Sequence, residues 1–215
     1  MSRPAERVAT YADLFDLPDN VVGQIVNGVL HAHPRPAFPH VLAASTLGMD
    51  LGAPFQRGRG GPGGGILTEP ELHVGPHILV PDLAGWRRER MPQIPDAAYV
   101  ELPSDWLCEV LSPATARLDR VEKLSIYAQY GVPRVWLIDP HARSLEVFGL
   151  DRGRWRLEAT HADDAEVAVP PFAAGGAAAG VIEPALRPAQ PVHRLASHAA
   201  RAGAANQSST KSRNT

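Results

Sequence analysis

Two acidic residues near the middle of the sequence stand where an acid is unexpected and could serve metal-dependent hydrolysis. Asp82 follows Pro81 directly after the apolar segment 77–80, and Glu109 interrupts the apolar segment 106–111. A carboxylate buried in such a strand is strongly destabilising unless it is paired or binds a cation. Taken alone, each acid is better explained as a loop cap or as the partner of an arginine. The two together invite a search for a third group.

Lys123 is unusual because the chain otherwise relies on arginine for positive charge. Of 21 basic residues only Lys123 and Lys211 are lysine, and Lys211 lies near the C-terminal end. An ammonium is a compact point charge, whereas a guanidinium is a planar fork, so Lys123 indicates a position that needs the compact form. The alternative is an exposed ion pair with Asp119 four residues earlier, which contributes only a few tenths of a kcal/mol.

Spacing along the helix that contains Lys123 brings this lysine back towards Glu109. Asp119, Lys123 and Tyr127 follow one another at intervals of four and therefore share one helical stripe. Two carboxylates can hold a Mg²⁺ ion that lowers the pKa of a bound water, and a nearby ammonium can orient that water and stabilise the developing charge. The residues Asp82, Glu109 and Lys123 thus predict hydrolysis of a phosphodiester.

The elements that must position these residues alternate between helices and strands. A short helix is predicted from Thr10 to Leu17, a tight hairpin at Asn27-Gly28, and a helix that begins at His40 and is closed by Gly52. Another helix begins at residues 112–113 and ends before Gly131 and Pro133. The predicted strands are 22–26, 29–32, 71–74, 77–83, 106–111, 135–138, 145–150 and 155–159. This order predicts an α/β or α+β fold with one mixed sheet.

Two loops carry arginines that could contact a nucleic acid. Residues 57–65 are rich in glycine but lack the Lys-Ser/Thr pair of a phosphate-binding loop, so we expect a mobile surface loop whose arginines could touch a DNA backbone. Residues 86–90 contain three arginines, and a solvated charged loop explains them as well as phosphate contacts do.

Other polar residues receive simpler interpretations. His31 and His33 alternate along one strand and could bind a metal, but with no third ligand nearby we expect an exposed pair. Glu69 and Glu71 precede the Asp82 segment and could contribute to the acidic cluster or face solvent, and we expect both of them to face solvent.

Composition favours one soluble domain followed by a tail. The 215 residues are 44% hydrophobic, which is enough to build a core, and residues 173–215 are dominated by alanine, glycine, serine and proline. We therefore predict a folded domain over 1–172 and a disordered tail over 173–215. No apolar run approaches the ~20 residues of a membrane span, so a cytoplasmic protein is expected. The single cysteine, Cys108, excludes an internal disulfide and a Cys-rich zinc site. The net charge of −2 lacks the basic excess that usually indicates a nucleic-acid-binding protein.

Several motifs together resemble a known family. They are Pro81-Asp82, EVLSPAT at 109–115, DRVEKLSIY at 119–127, GVPRVWLIDP at 131–140, and upstream GQIVNG at 23–28 with His40. This combination resembles the bacterial Uma-two family of putative restriction endonucleases, which is assigned to the PD-(D/E)xK nuclease superfamily. The resemblance covers roughly Tyr11 to Phe172. It implies a restriction-endonuclease-like mixed sheet flanked by helices and a metal-dependent site at the sheet edge.

The resemblance also implies roles for individual residues. Asp82 and Glu109 would be catalytic and, with the Val110 carbonyl, would bind Mg²⁺ or Mn²⁺ for cleavage of DNA. The superfamily usually places its lysine two residues after the second acid, where this chain has Leu111, and the family supplies it from the following helix as Lys123. Four residues are expected to support the site: Gln24, His40, Asp119 and Tyr127.

The chain departs from the family pattern at two positions. Gln24 stands where the family commonly has an acid, and Asn27 stands where it commonly has aspartate. Gln24 could still bind a metal through its carbonyl oxygen, although the site loses charge. This departure leaves open a catalytically weak nucleic-acid-binding or regulatory protein on the same fold. Glycoside hydrolysis would explain neither Lys123 nor the Pro-Asp pair. Cleavage of both strands of a duplex would require two sites, which a homodimer would provide.

Overall fold

The computed structural model describes residues 7–56, 64–162 and 169–172. The predicted tail, residues 173–215, lies outside the described residues, as does the part of the predicted glycine-rich loop from 57 to 63. No helix in the described ranges is long and apolar enough to cross a membrane.

Short strands predominate in the described part of the chain. The longer helical segments lie between the second and third strands and between the seventh and eighth. The first element is a 3₁₀ helix, Tyr11–Leu14, which is shorter than predicted. The helical elements that follow are α1 (Phe38–Leu51), a π-helical turn (Gly52–Gln56), a π-helical segment (Leu118–Lys123) and α2 (Leu124–Gln129). The strands are β1 (Val21–Val26), β2 (Val29–Pro34), β3 (Gly64–Thr68), β4 (Leu72–Val74), β5 (His77–Leu79), β6 (Leu83–Arg87), β7 (Trp106–Val110), β8 (Arg134–Asp139), β9 (Ser144–Asp151) and β10 (Arg154–Ala162).

The strands form two sheets, not the single sheet that the sequence predicted. A four-stranded antiparallel sheet has the order β2-β1-β5-β4, and a six-stranded sheet has the order β10-β9-β8-β7-β6-β3. The larger sheet is mixed, because β7 and β8 run parallel while its other described pairs are antiparallel. The α+β class with a mixed sheet is therefore confirmed, and the number of sheets was wrong. Pairing such as Ile25 with Ile78 joins distant segments, which local patterns do not encode.

The predicted strand 77–83 is divided between the two sheets. β5 belongs to the smaller sheet and β6 to the larger one, and residues 80–82 cross from one to the other. Pro81 lies within this crossing, and a proline cannot donate to a strand ladder. The β4–β5 hairpin is thus an excursion from the larger sheet, entered through residues 69–71 and left through residues 80–82.

Two turn predictions had different outcomes. The β1–β2 hairpin turns at Asn27 and Gly28 with φ angles of 52° and 76°, the left-handed pair that this dipeptide tolerates best. Gly52 caps α1, which ends at Leu51 as predicted, but it does not turn the chain away from a helical path. Its φ of −64° is right-handed, and the chain continues as the π-helical turn to Gln56. The sequence also missed β3, whose two initial glycines have low strand propensity and which is defined by pairing with β6.

The helix after β7 begins later than predicted. Ser112 Oγ accepts a hydrogen bond from the Thr115 N–H at 3.2 Å, so it caps a turn over residues 113–115, and the helix follows that turn. The segment Leu118–Lys123 of this helix is π-helical. The π-helix is rare and is often found at functional sites. Gly131, with φ of 72°, follows the helix as predicted.

The two faces of the mixed sheet bury separate cores. Trp106, Cys108 and Val110 of β7 pack on the same side as α1, whose Leu47 and Leu51 are fully buried. On the other face, Leu107 and Leu111 pack with the helix after β7. The alternation predicted for residues 106–111 is therefore present, and it places Glu109 on the face covered by that helix.

Candidate active site at the junction of the two sheets

A small cavity lies where the chain crosses between the two sheets. It has a volume of about 80 Å³ and is lined by residues of β1, β2, α1, both crossing segments and the C-terminal end of β7. Four acids share its wall: Glu69, Asp82, Glu109 and Asp119. The fold has thus brought to one cavity the acids of segments that are far apart in the sequence.

Asp82 is held at both of its carboxylate oxygens. Its Oδ1 accepts a hydrogen bond from His40 Nε2 at 2.6 Å, and its Oδ2 accepts one from the Val110 N–H at 2.7 Å. The first donor comes from α1 and the second from β7. Asp82 therefore has a fixed orientation beside the end of β7, and its side chain remains 14% exposed towards the cavity.

Glu109 is almost completely buried, with 2% of its surface exposed. Its Oε1 accepts a hydrogen bond from Tyr127 OH at 2.5 Å and lies 2.7 Å from Lys123 Nζ. Burial, followed by repulsion from Asp119 and Asp82, outweighs the attraction of Lys123 and raises the pKa of Glu109 to about 8. When no metal ion is bound, the Glu109 carboxyl therefore holds a proton near neutral pH.

Lys123 lies beneath Glu109 and not at the surface. It is 1% exposed, and its Nζ is also 3.1 Å from Asp119 Oδ1. Burial alone lowers the pKa of this ammonium, but Glu109 and Asp119 more than offset that effect, so its pKa is raised above the ordinary value. The alternative of an exposed pair with Asp119 is wrong, because this pair is buried. Lys123 is not among the residues of the cavity wall.

The stripe predicted on the helix faces inwards. Asp119, Lys123 and Tyr127 are 3%, 1% and 2% exposed, whereas Val121 and Ser125 face solvent. Burial and the neighbouring Glu109 raise the pKa of the Tyr127 hydroxyl well above its usual range, so the phenol stays protonated and donates to Glu109. The ammonium and the phenol together fix one oxygen of Glu109.

The other predicted supporting residues also contact the cavity. Gln24 Oε1 accepts a hydrogen bond from the Val80 N–H at 2.9 Å, so the oxygen that could bind a metal already has a partner. His40 holds Asp82 through Nε2, while its Nδ1 is buried without a partner among the described residues. His33, predicted to form an exposed pair with His31, is partly buried, and its Nε2 likewise lacks a partner in the described ranges.

The cavity fits a hard divalent cation by the chemistry of its donors. Four acids line the cavity and the ammonium of Lys123 lies behind them, while two histidines of the wall carry buried nitrogens that lack partners among the described residues. As placed, no three His, Cys, Asp or Glu side chains in the described ranges are grouped closely enough to hold an ion. Mg²⁺ does not require such a cage, since it usually keeps several waters and binds through one or two carboxylates. Asp82, Glu109 and the Val110 carbonyl suit that mode.

The raised pKa of Glu109 predicts how stability without metal depends on pH. The folded state keeps the Glu109 proton up to about pH 8, whereas an unfolded glutamate releases it near the ordinary glutamate pKa of 4.5. The folded state therefore binds more protons in this window, and stability should fall as pH rises from about 4.5 to 8. We expect the Tm in EDTA to decrease over this window. In Glu109→Gln the decrease should be clearly smaller, and an equal decrease would contradict the pKa assignment.

Glu69 is the one acid of the cavity wall whose role the sequence left open. Glu69 is exposed, as expected, but it also lines the cavity beside Asp82. The sequence left its contribution to the acidic cluster open, because its position depends on two crossing segments that lie side by side. Asp82, Glu109 and Asp119, by contrast, were singled out in the sequence and meet at this cavity, while Lys123 and Tyr127 meet behind it.

Comparison with known proteins finds similarity to a protein family and to solved structures. Residues 10–181 match the Uma2 family, described as a putative restriction endonuclease and identical with the Uma-two family named above. The fold is similar to the crystal structure of a putative nuclease belonging to DUF820 from Anabaena variabilis, with a TM-score of 0.61 and 21% sequence identity. The similarity covers 83% of this chain and 97% of that chain. No curated protein matches the sequence significantly.

Proposed function

The chain belongs to the Uma2 family of putative restriction endonucleases, and from this premise we propose that it is a divalent-metal-dependent endonuclease that hydrolyses phosphodiester bonds in DNA. The observation that carries the proposal is the meeting of Asp82 and Glu109 on one cavity wall, each anchored by its own donors. Carboxylates fixed in this way lose little orientational freedom when a cation binds.

The residues of the cavity would have two roles, metal binding and positioning of the metal-binding carboxylates. Asp82, Glu109 and the Val110 carbonyl would hold Mg²⁺ or Mn²⁺. When bound, such an ion supplies Lewis-acid stabilisation of the phosphate and an acidified water. His40 and the Val110 N–H keep the Asp82 carboxylate in place by donating to its two oxygens. A cation would also favour the charged form of Glu109, whose proton would leave when the ion binds.

Lys123 would act through Glu109 in this arrangement. The prediction that its ammonium orients the attacking water stays a prediction, since Lys123 is buried behind the acid. Its position supports a role in holding Glu109 with Tyr127 and in balancing the charge of Asp119. We therefore treat Lys123 as a positioning residue and Asp82 and Glu109 as the residues that would face the reacting groups.

A plasmid assay tests the proposal. Purified protein incubated with supercoiled DNA and Mn²⁺ or Mg²⁺ should convert it to nicked or linear forms, and EDTA should stop the conversion. Single-stranded DNA and RNA of matched length test the substrate class in parallel. Metal-dependent cleavage of RNA but not of DNA would overturn the substrate, and the absence of cleavage of any of these nucleic acids would overturn the activity.

A second candidate is a nucleic-acid-binding or regulatory protein with little catalysis. The observation that favours it is Gln24, which brings no charge to the cavity and whose oxygen is engaged by the Val80 N–H. Retained DNA affinity in both wild type and Asp82→Ala, with no cleavage by either, would support this alternative over the endonuclease.

A further inference from the structure

We propose that Glu69 supplies a carboxylate to the divalent cation of this cavity and makes up for the charge that Gln24 does not provide. This inference rests on the proposed function, because it concerns the same cation. It assigns a role to a residue for which the sequence favoured a solvent-facing position.

The backbone holds Glu69 beside Asp82. Thr68, the last residue of β3, pairs with Leu83, the first residue of β6, and the Glu69 N–H donates to the Asp82 carbonyl at 2.9 Å. The two acids thus stand opposite each other where the chain leaves and re-enters the larger sheet. Both side chains line the same cavity. A cation bound by Asp82 is therefore adjacent to the segment that carries Glu69.

Glu69 has a backbone conformation that few residues other than glycine adopt. Its φ is +46°, in the left-handed region that disfavours side chains with a Cβ. A glycine or asparagine would meet this conformation more readily, so the turn itself gives no reason for glutamate. The carboxylate is what glutamate adds at this position.

The carboxylate of Glu69 is also the uncommitted one in the cavity. Asp82 is bonded at both oxygens, Glu109 is held by Lys123 and Tyr127, and Asp119 is paired with Lys123. No hydrogen bond or ion pair of the Glu69 carboxylate is found within the described ranges. Because this side chain is exposed, it can change rotamer towards the cavity without breaking a contact there.

Glu71 provides a matched contrast two residues away. Its Oε1 lies 2.7 Å from His73 Nε2, and it does not line the cavity. Glu69 and Glu71 carry the same charge and flank the same Pro70. Substitution of either residue removes one negative charge from the same crossing segment, so a difference between the two variants isolates the role of position.

Calorimetric titration with Mn²⁺ on the full chain tests the inference. Glu69→Gln should raise the Mn²⁺ Kd by about tenfold or more, since even indirect supporting residues change metal affinity by roughly 10–100-fold. Glu71→Gln should leave the Mn²⁺ Kd within about twofold of the wild-type value. In EDTA Glu69→Gln should unfold at the wild-type temperature, which shows that its fold is intact.

The possible outcomes separate this inference from the proposed function. If wild type binds Mn²⁺ and Glu69→Gln binds it equally well, Glu69 is not a ligand, and the proposed cation site stands. An equal loss in Glu71→Gln would attribute the effect to general charge and would also overturn the inference. If wild type binds no Mn²⁺, the proposed metal-dependent function fails together with the role of Glu69.

Discussion

Replacement of Asp82 by asparagine is expected to lower metal-dependent DNA cleavage by about 10²-fold or more while the protein stays folded. Loss of a charged ligand removes part of the several kcal/mol with which a bound cation stabilises the transition state, and about 1.4 kcal/mol corresponds to each tenfold in rate. Single-turnover cleavage of plasmid at saturating Mn²⁺ measures the effect.

The fold should tolerate this change because asparagine keeps the shape and the acceptor oxygen of Asp82. That oxygen can still accept from the Val110 N–H, and the amide can face His40, whose ring can adopt the tautomer that accepts. Asp151→Asn is the matched control, since Asp151 lies 52% exposed in a surface pair with Arg156 at the β9–β10 hairpin. Cleavage by Asp82→Asn within threefold of this control would remove Asp82 from the active site.

Replacement of Lys123 by methionine is expected to destabilise the protein by about 3–5 kcal/mol near pH 9, because it leaves two buried carboxylates without their cation. Glu109 and Asp119 both depend on this ammonium, at 2.7 and 3.1 Å. The loss should be smaller near pH 6, below the pKa of about 8 for Glu109, since that carboxyl then carries a proton. Urea denaturation at the two pH values measures both effects.

Two further variants sharpen this test. Arg120→Met removes a cation from the same helix, but its pair with Glu146 is partly exposed, so the loss should stay within about 1 kcal/mol. Lys123→Met combined with Glu109→Gln should recover part of the stability, because the unpaired charge is then absent. A wild-type denaturation midpoint for Lys123→Met at both pH values would show that the buried pair contributes nothing to the fold.

These two variants probe different parts of one site. Asp82 lines the cavity and should affect cleavage with little effect on stability, whereas Lys123 lies behind Glu109 and should affect stability strongly. A variant of Lys123 therefore needs its folded fraction measured before its cleavage rate is interpreted.

Local patterns in the sequence predicted most of the secondary structure that carries the site. The alternation of residues 106–111 placed Glu109 on the face opposite Trp106 and Cys108, and the four-residue spacing placed Lys123 and Tyr127 on one inward stripe. These predictions succeeded because the periods of strands and helices are set by local backbone geometry. The tight turn at Asn27-Gly28 succeeded for the same reason.

The arrangement of the strands depended on contacts that no local pattern reports. The chain crosses between two sheets at residues 69–71 and 80–82, and only this double crossing brings Glu69 beside Asp82. The partner of Gln24, the Val80 N–H, also exists only because β1 pairs with β5 and not with the larger sheet. Hydrogen bonds between segments far apart in sequence decide such positions.

The sequence by itself determined which residues could do chemistry, since an acid within an apolar strand and a lone lysine are visible as residue types. It also predicted an α/β or α+β fold and, through its motifs, the family. The tertiary structure decided which of these side chains face the cavity and which lie behind it. It placed Asp82 and Glu69 on the wall and enclosed Lys123 beneath Glu109. The physical reason is that exposure and charge balance depend on packing between segments, and packing is fixed only when the whole chain has folded.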